Sequence, residues 1–422
     1  MKTADPKTSF PKAQIEIVLL EGTHASGTTQ LEGDGFNVRT HKGALVGDDL
    51  INEIKRAHIV GIRSKTHITD EVISHCDRLL AIGCFCAGTN QVDLDSAGAK
   101  GIAVFNSPFS NTRSVAELTI AEIIALHRKL TARSHSLHNG TWDKSATGSH
   151  EVRGKTLGII GYGHIGSQIS ILAEAMGMKV RFFDTISKLP LGNAQPAASM
   201  DDLLNTSDVI TIHVPDSEST RGMIGKSQLA MMKSGSYLLN NARGSIVDLE
   251  AMRSAIESGH LAGGAVDVFP DEPAKSGESF VSPLQGLDNV ILTPHVGGST
   301  IEAQEAISLD IANKLTRFMN LGTTTGAVNV PEVDLPDQHR TTLDEGGHQR
   351  SHRILNFHRN VPGVLNKIHE AAADLNINIS GQYLQTNAQI GYLVLDADPS
   401  NAAALHERIN AIEESIRTRI LW

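Results

Sequence analysis

The segment Gly161-Tyr162-Gly163-His164-Ile165-Gly166 constrains this chain more than any other. Alone, a G-x-G-x-x-G run is weak, because glycine-rich turns are common. Its setting makes it specific. An apolar stretch at 157–161 reads as a strand, and 165–176 reads as the helix that the turn opens. A second strand at 179–184 ends on Asp184, eighteen residues after Gly166. Strand, glycine turn, helix, strand and acid form the pattern of a dinucleotide-binding βαβ unit. Gly161 permits the tight turn, Gly163 lets the backbone approach a pyrophosphate, and Gly166 lets helix and strand pack closely. The helix N-terminus offers unpaired N–H groups to phosphate. A carboxylate at Asp184 accepts hydrogen bonds from ribose hydroxyls and repels a 2′-phosphate, which favours NAD over NADP. The plainer alternative is a structural turn beside a surface aspartate.

The rest of the chain fits around that unit. Strand-like stretches fall at 15–20, 59–62, 79–82, 102–105, 209–214, 237–240, 264–269 and 290–293, with helical stretches at 69–75, 114–137 and 299–321. Such alternation predicts parallel sheets with crossover helices. A polar stretch with Pro331, Pro336, Asp337, Gly346 and Gly347 then reads as a linker. Beyond it come a strand at 353–361, a helix at 363–375 and strands at 377–386 and 389–396. A helix at 402–415 and a strand at 418–422 complete the order βαββαβ, the ferredoxin-like unit. The expected fold class is α/β, with two Rossmann-like doubly wound parallel-sheet domains and a C-terminal ferredoxin-like domain. The 422 residues agree with that number, at about 150 residues per domain.

Charge and composition exclude several functions. The 37 Lys+Arg against 47 Asp+Glu leave a net charge of −10, which argues against a sequence-general nucleic-acid binder. Any site for an anionic substrate must therefore be locally basic. The apolar stretch at 118–126 has Glu117 at its edge and Glu122 inside it, and falls short of a membrane span. The first fourteen residues lack the apolar core of a signal peptide. Cys76, Cys84 and Cys86 are too few and too odd in number for a disulfide framework, so a reducing cytoplasm is expected. Without clustered histidines they assemble no metal site, and they read as small buried apolar residues.

Three segments after the glycine turn look chemical: 239–244 with Arg243, 266–273 with Glu272, and 292–298 with His295. Each charged group follows an expected strand of one parallel sheet, and ligands bind beyond the carboxyl ends of such strands. Arginine can grip a carboxylate with two parallel hydrogen bonds. Histidine can take a hydroxyl proton as hydride leaves, and a carboxylate bonded to it would orient it and raise its pKa. Singly, each has a plainer reading: the chain has 19 histidines, and Glu272 lies among prolines where a turn suffices. The trio downstream of a dinucleotide turn points to oxidation at a hydroxyl carbon.

Together GYGHIG, HVP at 213–215, NNARG, DVFPDEP and TPHVGGST resemble the D-2-hydroxyacid dehydrogenase family. Within it the chain most resembles the bacterial D-3-phosphoglycerate dehydrogenases, through CFCAGTNQVDLD (84–95), FNSPFSNTRSVAE (105–117) and KLPLGNA (188–194). The likeness runs from about residue 15 to the C-terminus. It implies that Arg243, Glu272 and His295 are the catalytic arginine and the acid–base pair. It implies that Asp184 binds the adenosine ribose, that Gly161, Gly163, His164, Ile165 and Gly166 meet the pyrophosphate, and that Asp267 sits near the nicotinamide amide. Asn241, Ala242, Val296, Gly297 and Gly298 join Arg243 and His295 along the cofactor. The implied reaction oxidises 3-phosphoglycerate to 3-phosphohydroxypyruvate at the start of serine biosynthesis, with a side reduction of 2-oxoglutarate to 2-hydroxyglutarate. Arg63, Ser64, Lys65 and Asn111 would hold the phosphorylated substrate, with Lys42 and Lys144 contributed by a neighbouring subunit. Read alone, Lys42 and Lys144 are solvated lysines, whereas Arg63-Ser64 at a strand end suits an anion clamp.

The resemblance also divides the chain. Residues 1–107 and 299–335 form a substrate-binding domain, with an NAD-binding domain at 108–298 inserted in it. A linker at 336–350 leads to an ACT regulatory domain at 351–422. There His358, Asn360 and Asn378 match positions that bind L-serine as allosteric effector; read alone they are turn and strand-end residues. A cytoplasmic homotetramer is implied, with Trp142 a candidate interface anchor and no metal, membrane or nucleic acid involved. Two departures stand out. Asn241-Ala242 replaces a pattern nearer Ala-Ser, and Lys65 replaces arginine, keeping the charge but losing the bidentate fork. Two other readings stay open: a different acid such as glycerate or 2-hydroxyglutarate, and a non-enzymatic NAD sensor, since this fold also serves transcriptional corepressors. The C-terminal module and the lack of a basic DNA-binding segment weigh against the sensor.

Overall fold

The computed structural model describes residues 11–273, 277–336, 351–398 and 401–421. Most of the expected linker at 336–350 and the terminal Trp422 lie outside them. Two compact units form, one from both ends of the chain (up to Pro108 and from Gln304) and one from Phe109–Ala303. Among the described residues no helix is long and apolar enough to cross a membrane.

The first unit opens with β1 (Glu16–Leu19), α1 (Ala25–Gly33), β2 (Asn37–Thr40), α2 (Gly47–Ile54) and β3 (Ile59–Ile62). It continues through α3 (Asp70–Ser74), β4 (Ala81–Cys84), α4 (Leu94–Ala99) and β5 (Ala103–Asn106). The sheet is parallel, in the order β2-β1-β3-β4-β5. Its central strands, IVGI and AIGC, are buried along their whole length, as a parallel sheet covered on both faces requires. One face packs Val18, Val60 and Ile82 against Leu50, Ile54 and Ile73.

The second unit opens with α5 (Thr112–Arg128), α6 (Leu130–His138), β6 (Thr156–Ile160), α7 (His164–Ala175) and β7 (Lys179–Phe183). Then come β8 (Gln195–Pro196), α8 (Met200–Thr206), β9 (Val209–Ile212), α9 (Lys226–Met231) and β10 (Ser236–Asn240). The unit closes with α10 (Leu249–Glu257), β11 (Leu261–Val266), β12 (Val290–Leu292) and the start of α11 (Ile301–Leu321). Its seven strands are parallel, in the order β12-β11-β10-β9-β6-β7-β8. Strand order reverses between β6 and β9, and ligands bind at such a switch point, beyond the carboxyl ends of the strands. The single helix expected at 114–137 is two: Lys129 takes a left-handed conformation at φ 51° and separates α5 from α6.

The C-terminal segment forms β13 (His352–Arg359), α12 (Val364–Asp374), β14 (Ile379–Thr386), β15 (Ile390–Ala397), α13 (Ala402–Asn410) and β16 (Ser415–Leu421). This is the expected βαββαβ order, in an antiparallel sheet β14-β15-β13-β16. Alternate residues of each strand serve opposite faces. Ile354, Leu393 and Leu395 meet α12 and α13, while Leu355, Phe357 and Tyr392 enter the core that α11 builds with the first sheet. The end of α11 supplies carbonyls to that face. Arg353, which also grips Asp396 with two hydrogen bonds, donates to Leu321 O, and the Tyr392 hydroxyl donates to Gly322 O. These donors satisfy acceptors that a helix end leaves unpaired.

Candidate active site

The glycine turn joins β6 to α7, and its three glycines do different work. Gly161 has φ 90°, and a Cβ there would collide with His213 O. A Cβ on Gly166 would strike Gly161 O, so that glycine sets how tightly helix and turn pack. At Gly163 a Cβ would meet no protein atom, so packing within the chain does not require glycine there, whereas close approach of a phosphate would. Gly163 is the N-cap of α7 and offers no side chain to cap the first turn, leaving those amides available to an anion. The Phe109 ring packs on the imidazole of His164, the first residue of α7. Asp184 follows β7. Its carboxylate accepts from Tyr162 N at 2.8 Å and from Ile186 N at 3.0 Å, which fixes it beside the glycine turn as a further acceptor.

Arg243, Glu272 and His295 follow β10, β11 and β12, and the structure brings the three together. His295 Nδ1 lies 2.8 Å from Glu272 Oε2. Burial raises the Glu272 pKa, but the His295 hydrogen bond, the Phe269 amide and the charges of His295 and Arg243 outweigh it, so the carboxyl is held below its usual range. An ionised carboxylate can only accept, so the Nδ1 of His295 carries the hydrogen and Nε2 is left as the proton acceptor. The Glu272 hydrogen bond is also the main reason that the His295 pKa is raised, against burial and the Arg243 charge. Glycine is required where the strand ends converge: a Cβ on Gly244 would strike the backbone of Phe269 and Pro270.

The histidine loop is held from below by Asp267, which is 1% exposed. Its carboxylate accepts from Thr293 Oγ1 at 2.6 Å and from Val296 N and Gly297 N, both at 2.8 Å. His295 itself has φ 53°, a conformation uncommon for a residue with a side chain, and its amide donates to Asp267 O. Several bonds to one buried carboxylate over-determine that strained turn.

A pH dependence follows. If His295 accepts the proton, the oxidation rate rises with pH through a pKa above 6.5, because the protonated imidazolium that Glu272 stabilises is the inactive form. Glu272→Gln removes that stabilisation. The inflection in kcat/KM should move to lower pH, and the plateau should fall by about tenfold or more as the ring loses its orientation. An unmoved inflection would separate Glu272 from the titrating base.

The other expected residues are placed as follows. Asn111, the N-cap of α5, packs against Gly298, while Lys144 and Trp142 are exposed after α6. In the first unit, Arg63, Ser64 and Lys65 follow β3, and Lys42 is exposed after β2. Composition did not reveal what holds the Arg63 turn. Glu21, at φ 64°, accepts from Arg63 N, Lys65 N and Thr66 N, and Gln91 Nε2 donates to Arg63 O.

In the C-terminal sheet the three expected effector residues do not meet. His358 lies toward one end of β13, opposite Gly391, and Asn360 donates to Asn387 O there. Asn378 precedes Ile379, which pairs with Ala397 at the end where His352 pairs. Six steps along the register separate the two ends, roughly 20 Å at the rise of a strand. His358 is buried, which lowers its pKa. Cys76 and Cys84 are buried as expected, but Cys86 is partly exposed, its thiol donating to Gly88 O. Burial pushes the Cys76 thiol up to about 11, and the other two are raised for the same reason.

Residues 120–297 match the family model of the D-isomer specific 2-hydroxyacid dehydrogenase NAD binding domain, and residues 354–417 match the AHAS small subunit-like ACT domain. The chain is 49% identical over 417 residues to a D-3-phosphoglycerate dehydrogenase of Haemophilus influenzae, covering 99% of each. It is 49% identical over 419 residues to that of Escherichia coli K12, covering 99% of this chain and 100% of the relative. Among solved structures, a D-lactate dehydrogenase of Aquifex aeolicus complexed with NAD and lactic acid matches with TM-score 0.65 at 28% identity. That match covers 74% of this chain and 100% of the other. The expected fold class, the NAD cofactor and the ACT-type module all hold.

Proposed function

This chain belongs to the D-isomer specific 2-hydroxyacid dehydrogenases, in their D-3-phosphoglycerate dehydrogenase branch, and from that premise we propose that it oxidises 3-phospho-D-glycerate to 3-phosphohydroxypyruvate. The observation that carries this reading is the hydrogen-bonded pair His295–Glu272 with Arg243 beside it. Bound NAD supplies the hydride acceptor. Arg243 holds the substrate carboxylate, His295 Nε2 takes the 2-hydroxyl proton, and Glu272 steadies the resulting imidazolium. Asp184 would accept from the ribose, the first turn of α7 would meet the pyrophosphate, and residues 241–243 and 295–298 would line the cofactor. The same groups run in reverse in a side reduction of 2-oxoglutarate, whose second carboxylate stands in for the phosphate.

The phosphate is held by Arg63, Ser64 and Lys65, with Asn111 and a second chain's Lys42 and Lys144 adding to it. Support comes from the Arg63 turn, which Glu21 and Gln91 fix by its backbone, leaving the guanidinium free of that scaffold. Arg63→Glu should raise KM for 3-phosphoglycerate by about ten- to a hundredfold, since truncated or reversed charge contacts cost a few kcal/mol. An unchanged KM removes Arg63 from this reading.

The enzyme acts in serine biosynthesis and is inhibited by L-serine at His358, Asn360 and Asn378. Because these residues lie at opposite ends of one sheet, a shared site needs two chains. Antiparallel pairing of edge strand β14 with its copy would set Asn378 beside the other chain's 387–389 turn, next to Asn360. The exposed Trp142, Leu130 and Leu137 support assembly into a homotetramer. Three free cysteines suit a cytoplasmic location. Saturating L-serine should lower the rate and raise Tm by several degrees, as a ligand at about a hundred times its Kd stabilises by about 2.7 kcal/mol. If rate and Tm both stay unchanged, serine is not the effector.

A further inference from the structure

Helix α5 backs both loops of the candidate site. Toward its N-terminus, Asn111 packs on Gly298, and Ser114 Oγ lies 2.8 Å from Thr300 Oγ1, beyond the turn that carries His295. One and two turns further on, Thr119 and Glu122 are 0% and 3% exposed. They meet Asn241, the first residue past β10, which is 7% exposed. The whole amide donor of Asn241 is spent on this helix: Nδ2 donates to Thr119 Oγ1 at 3.1 Å and to Glu122 Oε2 at 2.7 Å. The Thr119 hydroxyl gives its own hydrogen to Val115 O, so it can only accept from Asn241.

Arg243 follows two residues later. Between them the turn is closed internally by Asn240, whose Oδ1 accepts from Ala242 N and whose Nδ2 donates to Arg243 O. Asn240 thus fixes the shape of the turn, and Asn241 fixes where the turn sits on α5. We propose that Glu122 and Thr119 are positioning residues for Arg243, acting through Asn241 and holding the arginine in register with the His295 loop.

Stability alone does not account for this cluster. Glu122 Oε1 and Asn241 Oδ1 are both buried without a hydrogen-bond partner among the described residues. Burial and the like charge of Asp267 push the Glu122 carboxyl up to about 7, although the Asn241 bond opposes them. A half-satisfied buried polar group costs more than well-packed apolar residues would.

The inference rests on Arg243 holding the substrate carboxylate, and the test separates the two ideas. In the full-length enzyme, Asn241→Ala and Glu122→Ala should each raise KM for 3-phosphoglycerate by roughly tenfold, and Glu122→Ala, which does not line the proposed cofactor path, should leave KM for NAD within about twofold. The double variant should be no worse than either single one, because both remove the same link. Glu122→Gln keeps an oxygen for Asn241 and should restore KM to within about twofold of the parent. Falls in Tm with unchanged KM, additive KM effects, or a parallel rise in KM for NAD in Glu122→Ala would each overturn the proposal. If Glu122→Ala does not fold, Asn241→Ala and Glu122→Gln decide it. Should Arg243→Ala raise KM while Asn241→Ala does not, the positioning role alone fails; should Arg243→Ala leave KM unchanged, the reading of Arg243 fails first.

Discussion

Replacing His295 with alanine should lower kcat for hydroxy-acid oxidation by about 10²–10⁴-fold, the usual contribution of a positioned general base. KM for NAD should change little, because the imidazole acts on the proton of the substrate hydroxyl. The expectation stands on three linked facts. Glu272 occupies Nδ1 at 2.8 Å, so Nε2 is the free nitrogen. The pair raises the imidazole pKa and lowers that of the carboxyl, so the ring is a stronger base than an isolated histidine. The loop is held by the buried carboxylate of Asp267, so the ring has little freedom to lose on binding substrate. A retained kcat would show that a group other than His295 accepts the proton.

Replacing Arg243 with alanine should lower kcat/KM for the hydroxy acid by about 10²–10⁴-fold, since each lost hydrogen bond to a charged group is worth about 1.5–3 kcal/mol. The side chain is solvent-exposed, so the lower end of that range is expected. Arg243→Lys keeps the charge but loses the fork, and should fall between the parent and the alanine variant. The effect should appear mainly in KM if the arginine holds the ground-state carboxylate, and in kcat if its contact tightens only in the transition state. An alanine variant with an unaltered KM and kcat would move the carboxylate to another residue.

How much of this was legible in the sequence follows from the range of the interactions. The placement of the glycine turn and Asp184 is readable because both lie within one βαβ unit whose spacing is set by the chain. The convergence of Arg243, Glu272 and His295 is readable because each follows a strand of one parallel sheet. What the sequence hid depends on long-range register or on backbone conformation. Glu122 was visible only as an acid interrupting an apolar face; its partner Asn241 lies 119 residues away. The break at Lys129 is marked by neither glycine nor proline, so the 114–137 stretch read as one helix. Helix α1, built from ASGTTQLEG, lacks a clear apolar stripe and was not anticipated. The separation of His358 from Asn378 follows from antiparallel pairing, which residue types alone do not disclose.

NADH formation with 3-phospho-D-glycerate, D-glycerate, D-lactate and D-2-hydroxyglutarate, each with and without L-serine, decides which acid the site is built for. The kcat/KM for 3-phospho-D-glycerate should be at least about tenfold above that for the unphosphorylated monoacids, as expected when a site built for an anion meets a substrate lacking it. Equal or greater efficiency on D-glycerate or D-lactate would contradict it.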